Sequence, residues 1–442
     1  MRTPLRSPGT WIWGLLLAAI VIAGAIARIN GITFGLPFIY DIDEQDFVGL
    51  ATTMLRNHDP NPHWFGHPGT TLLYLICATF GILFSLGRLT GRFADASAFE
   101  AAYFHDVSPF YIAARLLMVV LGLICVVLVY RIGERLFGKP TGALAAAFLA
   151  LSPLEVDYSQ HIRSDMVMTV FVLAAFWYCV RVVETGSRQS YLLAGAFIAL
   201  ATDSKYPAVL MVVPLVVAHF FSPAARDPRK LAWSLLAFAL TSFAASPYLY
   251  LDYHQTIHDL KIENRPFEFG GVGSGPIGNA LWYIAVPLRY ALTVAGLLGV
   301  ALGSAFLLRE RRPTGILLLV TPLALLAFLS CLHLRWDRWT LPAVPFLALI
   351  LAYGLTRLFT LDVGRLGRML AAAGALVAAG IFASMIASDA QNGASLRGPD
   401  TRTLMAGYII AHVPPNSALL SEIFTCQLPK ARYRYFEVNE KT

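Results

Sequence analysis

Apolar runs of roughly 17 to 25 residues recur along the chain and alternate with short polar stretches, the pattern of helices that cross a bilayer repeatedly. They fall at 11–29, 110–130, 140–153, 167–183, 190–203, 206–222, 231–250, 281–308, 314–333, 340–360 and 369–388, which predicts about eleven transmembrane helices. The runs 140–153 and 190–203 are short and must draw on flanking residues. A further apolar stretch, 70–86, would invert every later loop if it crossed. Read as an interfacial or re-entrant helix, it leaves the N-terminus and the loops 131–139, 181–188, 223–230, 309–313 and 357–368 on one side. Those segments hold 16 Lys and Arg against 5 Asp and Glu, and the remainder holds 18 against 22. The positive-inside rule then puts them in the cytoplasm, and residues 30–109, 154–166, 204–206, 251–280, 334–339 and the tail from 389 outside.

Composition sharpens this into an all-α polytopic membrane protein, with a transmembrane domain over 1–388 and a short extracytoplasmic tail over 389–442. Of the 442 residues 57% are hydrophobic and 14% charged, with a mean hydropathy of +0.61. The first apolar run follows Arg2 and Arg6 but lacks a small-residue cleavage site, so a retained helix is expected. The net charge of +7 is distributed as a topology signal, and no basic stripe interleaves with aromatics, which argues against a nucleic-acid partner. The five cysteines have no paired spacing and read as buried small hydrophobes. The glycines of GGVGSGPIG follow no strand, which argues against a nucleotide loop. In the tail, 401–412 has helical spacing, Pro414 and Pro415 stop it, and 418–424 suits one strand.

Polar chemistry concentrates on the predicted outer side. The segment from Tyr40 to Thr70 gathers Asp41, Asp43, Glu44, Asp46, His58, His63 and His67 beside apolar runs, although crowded carboxylates need partners. Asp43 is placed to cap a surface helix whose Phe47, Val48, Leu50, Ala51, Met54 and Leu55 form an apolar face. Asp43 and Glu44 suit a general base and its neighbour, although acids are also favoured at any helix start. In SPLEVDYSQHIRSDMVMTVF, Arg163 and Asp165 stand at the start of a span and pair with each other or serve a site. Glu155 and Asp157 read as ordinary loop acids. Lys205 and Tyr206 mark a break between spans, where the ammonium either snorkels or binds a lipid phosphate. Arg335 and Arg338 alternate with Trp336 and Trp339, as interface anchors do, and also suit a phosphate. The histidines near 58–67 make a divalent metal a candidate, although their spacing fits no defined zinc motif.

Taken in order, these segments resemble the GT-C membrane glycosyltransferases of the protein O-mannosyltransferase and aminoarabinose-transferase type. YDIDEQDFVGLA is similar to that family's acidic motif, HPGTTLLYL to its HPPL segment, and LSPLEVDYSQHIRSDMVMTVFVLAAFW to its second external loop. GAFIALATDSKYPAVLMVVP resembles its lysine turn, and two later segments, from Arg335 and from Asp400, extend the likeness over nearly the whole chain. HPG in place of HPP and about twenty extra residues, 88–109, depart from the pattern.

The resemblance implies a GT-C-type bundle with interfacial helices in the first external loop. It also implies transfer of a sugar, with inversion, from a polyprenyl-phosphate donor to a lipid, glycan or protein acceptor. The likeness carries the base role to Asp43, an assisting role to Asp165 and the lysine role to Lys205; beside them Glu44 is expected to position acceptor or metal, and His67, Arg163, Tyr206, Arg335 and Arg338 to bind substrate. No nucleotide cofactor is required. The expected location is a bacterial cytoplasmic membrane, with the site facing outward. A transporter or flippase of lipid-linked glycans is the alternative, with the same charges lining a path; their concentration at span ends favours surface chemistry.

Overall fold

The computed structural model describes residues 10–438 apart from 67–69, 264, 269, 362–363, 423–424, 427 and 430. Its helices in chain order are α1 (Thr10–Ile29), α2 (Ile42–Asn57), α3 (Thr70–Leu89), α4 (Ala96–His105), α5 (Ser108–Phe137), α6 (Lys139–Ala150), α7 (Pro153–Tyr158), α8 (Ser164–Thr185) and α9 (Arg188–Ser204). A 3-10 turn, Tyr206–Met211, leads into α10 (Val212–Phe220), followed by α11 (Arg229–Ala245), α12 (Tyr248–Leu251), α13 (Tyr253–Glu263) and α14 (Gly275–Tyr283). A π turn, Ile284–Leu288, joins α14 to α15 (Arg289–Glu310), and α16 (Pro313–Ser330) follows. A second 3-10 turn, Asp337–Ala343, leads into α17 (Val344–Thr360), and α18 (Gly364–Arg397) and α19 (Thr401–His412) complete the helices. Each of the eleven predicted runs falls on helical chain, and seven of them lie in helices long and apolar enough to cross a membrane; 140–153, 190–203, 206–222 and 231–250 fall on shorter helices.

Close approach of small residues holds the bundle together, as expected where lipid supplies no hydrophobic drive between helices. A Cβ on Gly303 of α15 would fall 2.1 Å from the Ile350 carbonyl of α17, and one on Gly195 of α9 equally close to the Ser234 carbonyl of α11. α17 is the most enclosed helix, with every residue from Val344 to Leu355 buried.

The bundle has two chemically different ends. At one, Arg135 meets Glu184 at 2.5 Å, the Arg188 guanidinium lies 3.6 Å from the Trp233 ring centroid, and Arg357 meets Glu310 at 3.1 Å. Phe137 and Tyr353 touch there too, with centroids 4.3 Å apart. The basic loops sorted together by charge thus share one end. Because α5 and α8 finish there and α9 returns, Ser204 stands at the other end, where α5 and α8 begin.

α3 meets that second end twice. Thr71 Oγ1 donates to Ser204 Oγ at 2.9 Å, and the Phe80 ring lies 5.6 Å from that of Phe110 in the first turn of α5. Cys77 and Tyr74 reach the backbone of Ala51 and Pro60. Although 20 residues long and apolar enough to cross a membrane, α3 lies across this end beside α2. α2 itself starts two residues before the expected cap: Asp41 is its N-cap and Asp43 sits in the first turn.

The tail departs from expectation in two ways. α18 runs unbroken to Arg397, across the boundary drawn at 388. The strand Ala418–Glu422 (β1) pairs in parallel with Arg434–Val438 (β2), a partner the pattern did not reveal. The cysteines also differ in burial: Cys125 and Cys179 are enclosed, whereas Cys331 is exposed.

Candidate active site

Where α2, α8, the turns after α9 and before α17, and the tail converge, a cavity of about 690 Å³ opens at the second end of the bundle. Asp41 caps α2 in extended conformation, so its carboxylate and that of Asp43 both face Arg163, the N-cap of α8. Arg163 Nη2 donates to both Asp41 oxygens at 3.0 and 2.9 Å, and its Nη1 contacts Asp43. Burial works against the Asp41 charge, but Arg163 and His161 outweigh it and hold the carboxyl below its ordinary pKa. Arg338 Nη2 stands 3.6 Å from Asp43, and among the described residues that is its nearest carboxylate. Its backbone N–H donates to Asp337, which also accepts from Tyr158 at 2.7 Å, so α7 steadies the turn that carries Arg338.

Lys205 occupies an extended residue between α9 and the 3-10 turn, which points its amine across to α8. Nζ donates to Asp165 at 2.6 Å. Burial lowers the Lys205 pKa to about 8, while Asp165 works to keep the proton on. Beside Lys205 a crevice of about 10 Å³, room for no more than a water, lies among Pro207, Leu210, Leu325 and Leu329. Tyr206 lines the main cavity and donates to the Phe65 carbonyl at 2.6 Å. The opposite wall carries Glu263, Arg265 and Glu268, with Arg265 between the two acids. Arg402 of α19 closes the rim, its guanidinium 4.0 Å from the Tyr40 ring centroid.

Asp43, Arg163, Lys205, Tyr206 and Arg338 therefore share one cavity, with Asp165 directly below Lys205. Two other expected residues lie elsewhere, and His67 is outside the described residues. Glu44 is wholly buried on the other side of α2, where it accepts from Arg115 at 3.0 and 2.6 Å and from the Ile162 N–H at 3.0 Å. That carboxylate neutralises a guanidinium in the core and does not touch the cavity. Arg335 turns outward, donating to Ser274 Oγ at 2.9 Å and lying over Trp282.

Glu155 and Asp157 are not loop acids in water. Glu155 is fully buried near Arg28, and burial pushes its pKa up to about 8. Asp157, also raised by burial, accepts from Asn392. Among the described residues no group of three or more His, Cys, Asp or Glu side chains converges as a metal site. His63, a candidate ligand, instead reaches Asp59 at 2.9 Å on the exposed surface.

Arg115, Arg402 and the 263–268 wall did not stand out in the sequence. Arg115 had a readable signal: a guanidinium inside an apolar run requires a buried partner. Arg402 had none, because its place depends on how the tail folds back.

A family model described as dolichyl-phosphate-mannose-protein mannosyltransferase matches residues 102–251, about a third of the chain. No curated protein matches it. Among solved structures, ArnT from Cupriavidus metallidurans bound to undecaprenyl phosphate is 14% identical, with a TM-score of 0.63 over 98% of this chain and 87% of that one. Its apo form gives a TM-score of 0.64 over 97% and 86%. The oligosaccharyltransferase AglB from Archaeoglobus fulgidus, in complex with an inhibitory peptide and a dolichol-phosphate, is also 14% identical. Its TM-score is 0.59, over 92% of this chain and 58% of that one. These likenesses give the chain its architecture.

Proposed function

With the GT-C fold as premise, we propose that this integral membrane protein is a hexosyl- or pentosyltransferase. It moves a sugar from a polyprenyl-phosphate donor to an acceptor hydroxyl or amine on the extracytoplasmic side, with inversion. The observation that carries this reading is the chamber in which Asp43, Arg163 and Arg338 face the buried Lys205, with closely packed apolar side chains beneath the lysine. Such a chamber suits a phosphate at the lysine with its sugar beside Asp43, and an isoprenoid chain would have to part the apolar side chains below.

In this reading Asp43 takes the proton of the acceptor as its oxygen or nitrogen attacks the anomeric carbon. The bond from that carbon to the phosphate oxygen breaks, and polyprenyl phosphate leaves against Lys205 and Arg338. Arg163 positions Asp43, and Asp165 positions Lys205. An arriving phosphate that engages Arg338 would draw that guanidinium from Asp43 and leave the base with Arg163 alone. Acids and guanidiniums on the 263–268 wall and at Arg402 are placed to meet a polar lipid, glycan or protein acceptor.

The test uses purified wild type and Asp43→Asn in detergent with a panel of polyprenyl-phosphate sugars and candidate acceptors, following free polyprenyl phosphate. The substitution is expected to lower turnover roughly 10²- to 10⁴-fold, the range for loss of a general base, while donor binding persists. Donor movement across liposomes that survives Asp43→Asn, with no turnover for any acceptor, would replace the transferase with a flippase.

A further inference from the structure

A second polar cavity lies on the flank of the bundle, between α15 and α18, and none of its residues belongs to the site above. It encloses about 330 Å³ and is lined by Arg289, Tyr290 and Thr293 of the first helix and by Ser384 and Ser388 of the second. Among the described residues the Arg289 guanidinium has no hydrogen bond and no ion pair. Tyr290 and Ser388 share a hydrogen bond across the two helices, with Asp157, Asp389 and Asp337 the nearby acids. The unpaired Arg289 guanidinium, with Ser384 and Ser388 on the facing helix, is the part of this surface able to meet an anion.

The backbone around them is irregular. The π turn 284–288 contains Pro287, and five residues after it Thr293 has φ 65° and ψ 167° inside α15. That conformation is essentially reserved for glycine, so a β-branched residue holding it is a local strain that neighbours must maintain. Two groups do so: Ser152 Oγ donates to the Ala291 carbonyl at 3.0 Å, and the Gly296 N–H donates to Thr293 Oγ1 at 3.2 Å. Irregular backbone at membrane depth is tolerated where protein covers it or where it lines a polar cavity.

Depth and surroundings indicate the ligand class. Glu310, which pairs with Arg357 at the basic end, lies 17 residues beyond Thr293, roughly 26 Å along the regular part of α15 at 1.5 Å per residue. Ser152, at the opposite end of α6 from the basic loops, bonds the Ala291 carbonyl, so Arg289 stands near the end of the bundle that carries the candidate site. Toward the bilayer centre the polar cavity gives way to Val294, Leu298 and Val377, all exposed. On α18 a Cβ at Gly380 would meet open space. A snorkelling arginine would account for Arg289 alone. It would not account for the hydroxyls from the second helix or for the strained turn beside them.

We infer that the α15–α18 flank is a binding site for an anionic phosphate-headed lipid, with the phosphate at Arg289 and the hydroxyls and an acyl chain along Val294 and Leu298. The inference does not rest on the transferase reading and holds or fails without it.

The full chain, purified in detergent, is mixed with phosphatidylglycerol or phosphatidylcholine and examined by native mass spectrometry. The expected result is one retained phosphatidylglycerol, held about 10-fold less well by Arg289→Gln and restored in part by Arg289→Lys. Ser384→Leu/Ser388→Leu, which fills the groove without touching the charge, should lose it as well and carries the test if Arg289→Gln does not fold. Retention that is indifferent to both changes, or equal for phosphatidylcholine, overturns the site. Displacement by millimolar inorganic phosphate assigns it to a free anion and overturns the lipid. Loss of retention in Arg338→Gln places the lipid in the catalytic cavity instead and overturns it too.

Discussion

Arg135 with Glu184 and Arg115 with Glu44 are matched pairs at opposite ends of one bundle, 2.5 and 2.6 Å apart. The first pair is about 30% exposed on each side; the second is 1% and 0% exposed. Water screens the first, and its loss would be compensated by solvent. In the second each charge is the other's principal solvent, so removing one strands the other. The same contrast separates the ends as wholes. Charges in the basic loops pair at the exposed surface, whereas those at the cavity are largely enclosed and shared among several partners.

The sharpest way to break that comparison is Glu44→Gln. It should destabilise the protein by about 3–5 kcal/mol, because Arg115 keeps its charge in the core without a counter-charge. Thermal unfolding in detergent measures this, and a change below about 1 kcal/mol would mean that burial does not separate the pairs. Next in size is a pH effect at Lys205. A lysine whose pKa is lowered to about 8 loses its charge as pH rises through that value, well before an ordinary lysine. Donor binding should therefore fall roughly 10-fold between pH 7 and pH 9, and Lys205→Arg, always charged, should flatten the profile. A profile for the wild type that stays flat to pH 10 would remove Lys205 from the phosphate. The smallest effect is expected for Arg135→Ala: less than about 1 kcal/mol in stability and no change in turnover.

Much of this contrast was readable before any coordinates. Each apolar run falls on helical chain, and the excess of Lys and Arg groups loops that do meet at one end. The grouping of Asp43, Arg163, Lys205, Tyr206 and Arg338 was also legible, since charges at span ends on one side have few places to go. Adjacent residues were harder to separate. Asp43 and Glu44 stand about 100° apart around a helix of 3.6 residues per turn, so one faces the cavity and its neighbour the core. The apolar face Phe47, Val48, Ala51 and Met54 already puts Glu44 on the inward side by helical spacing, but its partner Arg115 lies 71 residues away and gives no local sign of the pairing. Arg335 and Arg338 divide for another reason: Arg335 precedes the turn, its N–H bonded to the Gly271 carbonyl, and Arg338 lies within it. Thr293 could not have been foreseen either, since nothing in its neighbours forces a positive φ.

The closure of the cavity by Arg402 also bears on how the protein comes into being. Tyr40 and Arg402, whose contact forms part of the rim, are 362 residues apart. A nascent chain presents its acidic segment to the membrane surface long before Arg338 exists and longer still before the tail folds back. Until then Asp41 and Asp43 have Arg163 as their cation, and the chamber lacks both a side and a rim. The cavity is thus complete only once α19 has folded back against Tyr40, so its assembly depends on contacts between distant parts of the chain.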